Sequence, residues 1–155
     1  MKGDQKVIQV LNSLLGRELT VVSQYMVHAE MCDNWGYEKL HEMIQKRAKT
    51  EMKHAEMLIG RILFLEGAPV VSELETLHIG AEIPKMFEND HEMELDAVVR
   101  YNAGIKICGD ANDFATREIL ESILSEEDDH VDSIEAVLDE IGQMGLQVFL
   151  STQLK

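Results

Sequence analysis

Residues 68–80, Ala-Pro-Val-Val-Ser-Glu-Leu-Glu-Thr-Leu-His-Ile-Gly, decide the fold of this 155-residue chain. The segment has no sustained helical period, and it carries Pro69 near its start and Gly80 at its end. On both sides of it, apolar residues recur at spacings of three and four, which is typical of amphipathic helices. The sequence therefore predicts helix pairs joined by one long crossover, rather than an up-down bundle with short loops throughout.

Two helices precede the crossover. The first is predicted from Asp4, which can serve as its N-cap, to about Asn34. Trp35-Gly36 interrupts the pattern, and the second helix is predicted over residues 37–66, ended by Gly67. Because the connection between them is short, the two helices must lie antiparallel.

Two further long helices follow the crossover. The third is predicted over residues 81–109, with Pro84 in its first turn, where the missing N–H matters least. The fourth is predicted over residues 113–141, and a glycine-flanked apolar run at 146–150 predicts a short fifth helix. The predicted fold class is all-α, as one domain over residues 1–155.

The net charge of the chain restricts the classes of partner that it is expected to bind. Acidic residues number 29 against 14 basic residues, which gives a formal net charge of -15. Nucleic acid and anionic membrane surfaces would repel such a protein, so neither is expected as a partner. Cations are the natural ligands, although the acidic residues could equally serve to keep a helical surface soluble.

The cysteines and the N-terminal residues indicate in which cellular compartment the protein is expected. Cys32 and Cys108 lie far apart and form no Cys-x-x-Cys pair, so neither a disulfide framework nor a zinc site is indicated. The N-terminal residues lack an apolar signal core, and no stretch approaches the roughly 18 apolar residues that span a membrane. We therefore expect a soluble cytoplasmic protein.

Two Glu-x-x-His segments, Glu51 to His54 and Glu127 to His130, each place a carboxylate and an imidazole on one helical face. Such a pair can chelate a metal ion. The motif is not specific by itself, because three further histidines also follow a glutamate by three residues: His41, His78 and His91. Any one of these pairs is equally explained as a solvated ion pair on a helix.

An internal repeat distinguishes the motifs of His54 and His130 from the other three. A shift of 76 residues superimposes four pairs of identical residues: Glu18 and Glu94, Tyr25 and Tyr101, Glu51 and Glu127, His54 and His130. The same shift takes His41 to Arg117 and His78 to Leu154, and it relates His91 to Leu15. Each half of the chain therefore supplies one glutamate and one Glu-x-x-His to a single predicted site.

Four carboxylates and two imidazoles are enough ligands for two divalent ions. We expect Glu18 and Glu94 to be terminal ligands and Glu51 and Glu127 to bridge, with His54 and His130 completing the set. Two dications would cancel the charge of four buried carboxylates, which would otherwise be strongly unfavourable. Oxygen and nitrogen ligands of this kind suit iron or manganese, and iron redox chemistry is the predicted activity.

Two tyrosines share this pattern. Tyr25 and Tyr101 each follow a terminal glutamate by seven residues, so each lies on the same helical stripe and could hydrogen-bond to the site. A plain role in core packing, with the hydroxyl satisfied elsewhere, explains them as well.

These residues resemble the bacterioferritin family over essentially the whole chain. Besides the six ligands, the likeness rests on Gln24-Tyr25, Asn34-Trp35-Gly36, the segment 51–55 and the segment 61–67. The resemblance implies a ferritin-like four-helix bundle that oxidises Fe(II) at a di-iron centre inside each subunit. It also implies a hollow homo-oligomeric shell of 24 subunits that stores the ferric mineral.

The resemblance further implies a b-type haem at a two-fold dimer interface, with its iron bound by the same methionine from both subunits. That position holds Met52 here, and Leu19, Val22, Ser23 and Met26 would line the haem pocket. Met57 is the alternative ligand. Haem would help to release iron, with a ferredoxin as electron donor. Where some family members carry a histidine and an aspartate for moving iron, this chain has Lys46 and Thr50.

The same ligands leave other functions open. A di-iron peroxidase or oxygenase, or a di-manganese catalase, uses an identical ligand set on the same kind of bundle. A non-catalytic helical assembly is the other alternative. The short fifth helix and the lack of an obvious pocket motif for an organic substrate favour iron storage.

Overall fold

The computed structural model describes all of residues 1–155, which form five α-helices and no strands. The helices are α1 (Gln5–Asn34), α2 (Glu38–Phe64), α3 (Ile83–Asp110), α4 (Phe114–Met144) and α5 (Leu146–Ser151). Residues 65–82 form the crossover between α2 and α3. The helix pairs α1–α2 and α3–α4 pack together, and α1 also packs against α3. The predicted ferritin-like bundle, with its long crossover and short fifth helix, is confirmed.

No helix combines the length and the apolar character needed to cross a lipid bilayer.

The helix ends follow local chemistry. The Asp4 carboxylate caps α1 by accepting from the backbone N–H groups of Lys6 and Val7. Asp113 caps α4 in the same way through the N–H of Thr116. Helix α3 begins at Ile83, two residues later than predicted, because Glu82 still has an extended backbone with φ -143° and ψ 162°.

The fourth helix also differs from its prediction, because it continues past Ile141 to Met144. Gly142 keeps a helical backbone, so a glycine alone does not end the helix. The helix ends at Gly145, whose φ of +80° is open to glycine at little cost and cannot continue a right-handed helix.

The apolar core is divided into two clusters. One is rich in aliphatic residues and includes Leu11, Leu14, Leu58 and Ile123. The other includes Ile44, Phe87, Ile134 and Phe149. On each of the four long helices, the predicted ligands lie between the residues of the first cluster and those of the second. The site is therefore a polar layer at mid-length, closed on both sides by apolar packing.

A row of polar side chains on α1, here called the crossover stripe, holds the crossover against the bundle. Each member accepts a hydrogen bond from a crossover backbone N–H: Asn12 from Val70 (2.8 Å), Thr20 from Glu75 (2.8 Å), Gln24 from His78 (3.0 Å) and His28 from Gly80 (3.0 Å). The partners rise together in chain order, so the crossover runs in the same direction as α1. Gly16 lies between Asn12 and Thr20 and lets the crossover come close to α1, since a Cβ there would lie only 3.2 Å from the Glu73 carbonyl oxygen.

Asp90 of α3 joins the end of this stripe and completes what we call the crossover network, Gln24, His28 and Asp90. Its Oδ1 accepts from Gln24 Nε2 at 2.8 Å and lies 2.9 Å from His28 Nδ1. Because His28 Nε2 accepts from Gly80, the Nδ1 atom carries the proton and donates to Asp90. All three side chains are fully buried, and they tie α1, α3 and the crossover together.

Candidate metal centre

The six residues selected by the repeat meet in the polar layer of the bundle. Their ligand atoms form two groups, each within 4.8 Å: Glu18, Glu51, His54 and Glu127 in one, and Glu51, Glu94, Glu127 and His130 in the other. We call the two groups together the carboxylate cluster. Glu51 and Glu127 belong to both groups, whereas Glu18 and Glu94 each belong to one. This is the arrangement that shared and terminal carboxylates require.

The histidines that the repeat rejected lie elsewhere. His41 Nδ1 is 2.9 Å from the Ala29 carbonyl oxygen, and His91 Nε2 is 2.8 Å from an exposed carboxylate of Glu135. His78 contributes only its backbone groups to the crossover contacts. The repeat, and not the Glu-x-x-His motif, thus identifies the residues that the fold brings together.

Burial in the carboxylate cluster is nearly complete. All four glutamates are 0% exposed, and His54 is 1% exposed. Four carboxylate oxygens nevertheless lack a hydrogen bond, although an imidazole or guanidinium nitrogen lies within 3.9 Å of each: Glu18 Oε2, Glu94 Oε2 and both carboxylate oxygens of Glu127. Because buried polar atoms are normally paired, this group of unpartnered oxygens fits a bound cation.

Both imidazoles turn Nδ1 toward the carboxylates. His54 Nδ1 lies 3.0 Å from Glu51 Oε2 and 2.9 Å from Glu127 Oε1, and His130 Nδ1 lies 2.9 Å from Glu51 Oε1. Burial would lower the pKa of His130, but Glu127 and Glu94 outweigh it and raise the pKa to about 9. The pKa of His54 is likewise raised, because Glu127 and Glu18 outweigh burial.

Opposing effects act on the carboxylates. Burial, reinforced by Glu94 and Glu18, raises the pKa of Glu51 well above its ordinary value. Burial would also raise the pKa of Glu94, but Arg17 and His130 outweigh it, so that pKa falls below the ordinary range. The buried glutamates thus repel one another strongly, and a bound cation would reduce that repulsion.

The two tyrosines cross between the halves of the chain. The Tyr25 hydroxyl donates to Glu94 Oε1, and the Tyr101 hydroxyl donates to Glu18 Oε1. Burial and the adjacent glutamate raise the pKa of each phenol well above its ordinary value, so both remain donors. Each tyrosine fixes the orientation of the terminal carboxylate that the other half supplies.

Arg17 is the main residue that sequence reasoning missed. Its guanidinium is 1% exposed and lies among the four glutamates, with N···O distances of 3.2 Å to Glu18, 3.6 Å to Glu51, 3.4 Å to Glu94 and 3.5 Å to Glu127. Burial would lower the pKa of Arg17, but the glutamates, Glu18 foremost, raise it, so the side chain stays charged. Position 17 shares a core-facing spacing with Leu14 and Val21, and this signal could have identified it.

Glu126 was also missed. Its carboxylate is half-exposed and lies 3.3 Å from His54 Nε2, the ring nitrogen that faces away from the cluster. A carboxylate in that place orients a metal-binding imidazole. The repeat could not have found it, because the corresponding residue of the first half is Thr50.

A cavity of about 270 Å³ leads from the surface to His130. Five polar residues of α2 and α4 line it, and none of them is acidic: Lys46, Arg47, Thr50, His130 and Ser133. Lys46 and Thr50 thus stand at this opening, and Arg47, which is 4% exposed, donates to Ser133 Oγ at 3.4 Å. The opening is basic, unlike the protein as a whole.

Met52 lies at the surface of α2, about 100° around the helix from Glu51. It is 40% exposed, whereas its neighbour Glu51 is fully buried. Of the predicted haem-pocket residues, Met26 is 58% exposed and Val22 is buried, and Leu19 and Ser23 lie between these limits. Met57, the alternative ligand, is also partly exposed.

Oxygen and imidazole donors in this number suit iron, manganese or a similar divalent ion, and they do not suit Cu(I), which prefers sulfur. The shared carboxylates allow two ions to be held side by side. The cavity exposes His130 to solvent, so small molecules can approach this side of the site.

Comparison with known proteins gives consistent results. The family described as a ferritin-like domain matches residues 8–144. The bacterioferritin of Streptomyces coelicolor is 37% identical over 155 residues, which covers 100% of this chain and 93% of that protein. The bacterioferritin of Rhodobacter capsulatus is 38% identical over 96% of this chain and 92% of its own length. That of Mycobacterium leprae is 35% identical, with 96% and 94% covered.

Proposed function

From the premise that the chain belongs to the bacterioferritin family, we propose that it oxidises ferrous iron at the carboxylate cluster and stores the ferric product in a hollow shell. The observation that supports this most strongly is the burial of four glutamates beside two imidazoles, with four carboxylate oxygens that have no hydrogen bond. A purely structural polar network would satisfy those oxygens with hydrogen bonds. A centre that takes up cations leaves them free.

In the proposed reaction, two ferrous ions lose one electron each. Dioxygen takes up both electrons and two protons to give hydrogen peroxide, or peroxide takes up both with two protons to give two water molecules. Anionic carboxylates favour Fe(III) over Fe(II), because the higher charge gains more from them. Glu51 and Glu127 would hold both ions, and the tyrosines would keep the terminal glutamates in position.

Anaerobic loading with Fe(II) followed by dioxygen tests the site. We expect a rapid, saturable oxidation phase in the natural protein, and its loss in Glu18→Ala and His130→Ala. His91→Ala is the matched control, because it removes a histidine of the same motif that lies outside the cluster. A rapid phase that survives in the two ligand variants would refute the assignment.

Storage is separated from small-substrate catalysis by the fate of the iron. We propose that the subunits assemble into a 24-subunit shell, as the family resemblance implies. Iron that co-elutes with the shell on size exclusion, with a matching native mass, supports storage. Turnover of peroxide or of an organic substrate without mineral would instead support the peroxidase, catalase or oxygenase alternative.

The acidic composition gains a role in this proposal. A net charge of -15 would draw Fe(II) toward the shell through electrostatic attraction. The rate of iron uptake should then fall as salt is raised, since exposed charges are screened. A cytoplasmic location is part of the proposal, supported by two free, buried cysteines that fit a reducing compartment.

Haem binding is proposed from the family, with Met52 as the ligand of the haem iron from each of two subunits. The exposed position of Met52 fits, because a thioether at the subunit surface can reach a group shared with a partner. Bound haem would carry electrons for iron release, with a ferredoxin as the donor. The visible haem spectrum should be lost in Met52→Leu and kept in Met57→Leu, and the opposite pattern would assign the ligand to Met57.

A further inference from the structure

The position of Arg17 points to a device that the proposed iron chemistry does not require. We propose that Arg17 is a resident counter-cation of the carboxylate cluster, which holds the glutamates together without metal and limits the cluster to one tightly bound divalent ion. The second ion then binds weakly and passes through. This inference rests on the proposed metal centre and concerns how many ions that centre retains.

Contacts of the guanidinium reach both ligand groups. Nη1 lies 3.2–3.6 Å from Glu18, Glu51 and Glu127, and Nη2 lies 3.4 Å from Glu94. Apart from the glutamates, Arg17 has one hydrogen-bond acceptor, the Met93 carbonyl oxygen at 3.2 Å, and its Nε has none. The side chain is therefore held mainly by the same carboxylates that would bind the metal.

The charge of Arg17 changes how many dications the cluster can neutralise. With all four glutamates ionised and both histidines neutral, the carboxylates and Arg17 together carry a charge of -3. One dication brings the cluster to -1, whereas two dications bring it to +1. Without Arg17, two dications would balance the four carboxylates. At separations near 4 Å in a buried site, like charges repel strongly, so the second ion is opposed by the first ion as well as by Arg17, in a cluster whose net charge is already only -1.

The two groups are not equivalent toward Arg17. Its shortest contact is with Glu18, the terminal residue of the His54 group, to which Nη1 also donates a hydrogen bond. The His130 group is the one reached by the surface cavity. We therefore place the tightly bound ion in the group of Glu51, Glu94, Glu127 and His130, and the weakly bound ion in the group that contains Glu18 and His54.

Anaerobic titration with Co(II) tests this without any oxidation step, because Co(II) has visible absorption that reports its ligands. We expect one tight Co(II) per subunit in the natural protein, with the second at least about tenfold weaker. Arg17→Gln should bind two with similar affinity, and Arg17→Lys, which keeps the charge, should retain the difference. Arg61→Gln is the control, since Arg61 is a partly buried arginine bonded to Asp113 and Thr116 instead.

Stability gives a second, independent measurement. Removal of the guanidinium leaves the four buried carboxylates with only His54 and His130 as cationic partners, so metal-free Arg17→Gln should unfold at a lower temperature than the natural protein. Added Zn(II) should raise the unfolding temperature of Arg17→Gln by more than that of the natural protein. If that variant folds only with metal, metal analysis of the purified protein still decides the matter. Two retained ions per subunit in Arg17→Gln against one in the natural protein supports the proposal.

His130→Ala and His54→Ala locate the tight ion. His130→Ala should abolish tight Co(II) binding, and His54→Ala should preserve it; the reverse would overturn the placement. Two equally tight ions in both the natural protein and Arg17→Gln would overturn the counter-cation role while leaving the metal centre intact. No Co(II) binding in either protein would refute the metal centre, and with it this inference.

Discussion

The carboxylate cluster, which draws on all four long helices, and the crossover network, on α1 and α3, are both almost completely buried groups of polar side chains, yet they differ in how well their atoms are paired. In the crossover network, Gln24 and His28 each use both of their polar ends, and only Asp90 Oδ2 lacks a partner. In the carboxylate cluster, four carboxylate oxygens lack a hydrogen bond. Both regions are buried, so what distinguishes a binding site from a structural polar group is that its buried polar atoms lack hydrogen-bond partners.

Glu51→Ala should produce the largest difference between the two regions. Glu51 belongs to both ligand groups, so we expect iron oxidation to fall by more than about a hundredfold. The metal-free protein should keep its unfolding temperature or gain a few degrees, because the substitution removes one of four mutually repelling carboxylates. Oxidation kinetics and thermal unfolding of metal-free protein measure both effects; a marked loss of metal-free stability would show that Glu51 is structural.

Asp90→Ala should have the opposite profile. It leaves His28 Nδ1 and Gln24 Nε2 buried without an acceptor, which should cost roughly 3–5 kcal/mol of stability. Added Zn(II) should recover little of this specific loss, since the network holds no ligand. Urea unfolding of both proteins at the same protein and Zn(II) concentrations measures it, and a variant midpoint equal to that of the natural protein in the same Zn(II) would contradict the division between the two regions.

Tyr25→Phe tests the border of the carboxylate cluster. The substitution keeps the ring in the core but removes the donor to Glu94, so oxidation should slow by about tenfold while stability falls by only about 1 kcal/mol. Tyr101→Phe is the matched variant on the other half and should behave alike, through Glu18. Unequal effects would show that the two halves are not functionally equivalent.

The smallest effect concerns the cysteines. Burial, with Asp90 as a lesser cause, raises the pKa of Cys32 to about 12, and burial raises that of Cys108 to about 11. Both thiols should therefore stay protonated and unreactive toward a disulfide reagent at pH 8. In Asp90→Ala, slow labelling of Cys32 before Cys108 should report local opening beside the network. Equal labelling of both would indicate global unfolding instead.

The sequence predicted what depends on periodicity and repetition. Apolar spacing predicted the four long helices and the crossover, and the 76-residue shift chose Glu51 and Glu127 over competing motifs. The end of α4 was predicted too early, because Gly142 remains helical when its neighbours can keep their hydrogen bonds.

Features that depend on tertiary position escaped prediction. The crossover stripe, from Asn12 to His28, consists of polar residues on a helix, which sequence reasoning assigns to solvent unless a segment is known to lie over them. Arg17 escaped for a related reason: an arginine can extend its head into water, and only the packed bundle shows that this one cannot. Both required knowing what covers the helix.

The crossed tyrosines have a consequence for how such a protein can arise. Since Tyr25 holds the glutamate of the second half and Tyr101 that of the first, a single helix hairpin facing its own copy would already build the whole centre. Once two copies are joined through the crossover into one chain, the two halves can differ in sequence. Arg17, which corresponds to Met93, and Met52, which corresponds to Asp128, are then innovations that a symmetric ancestor would have had to carry twice.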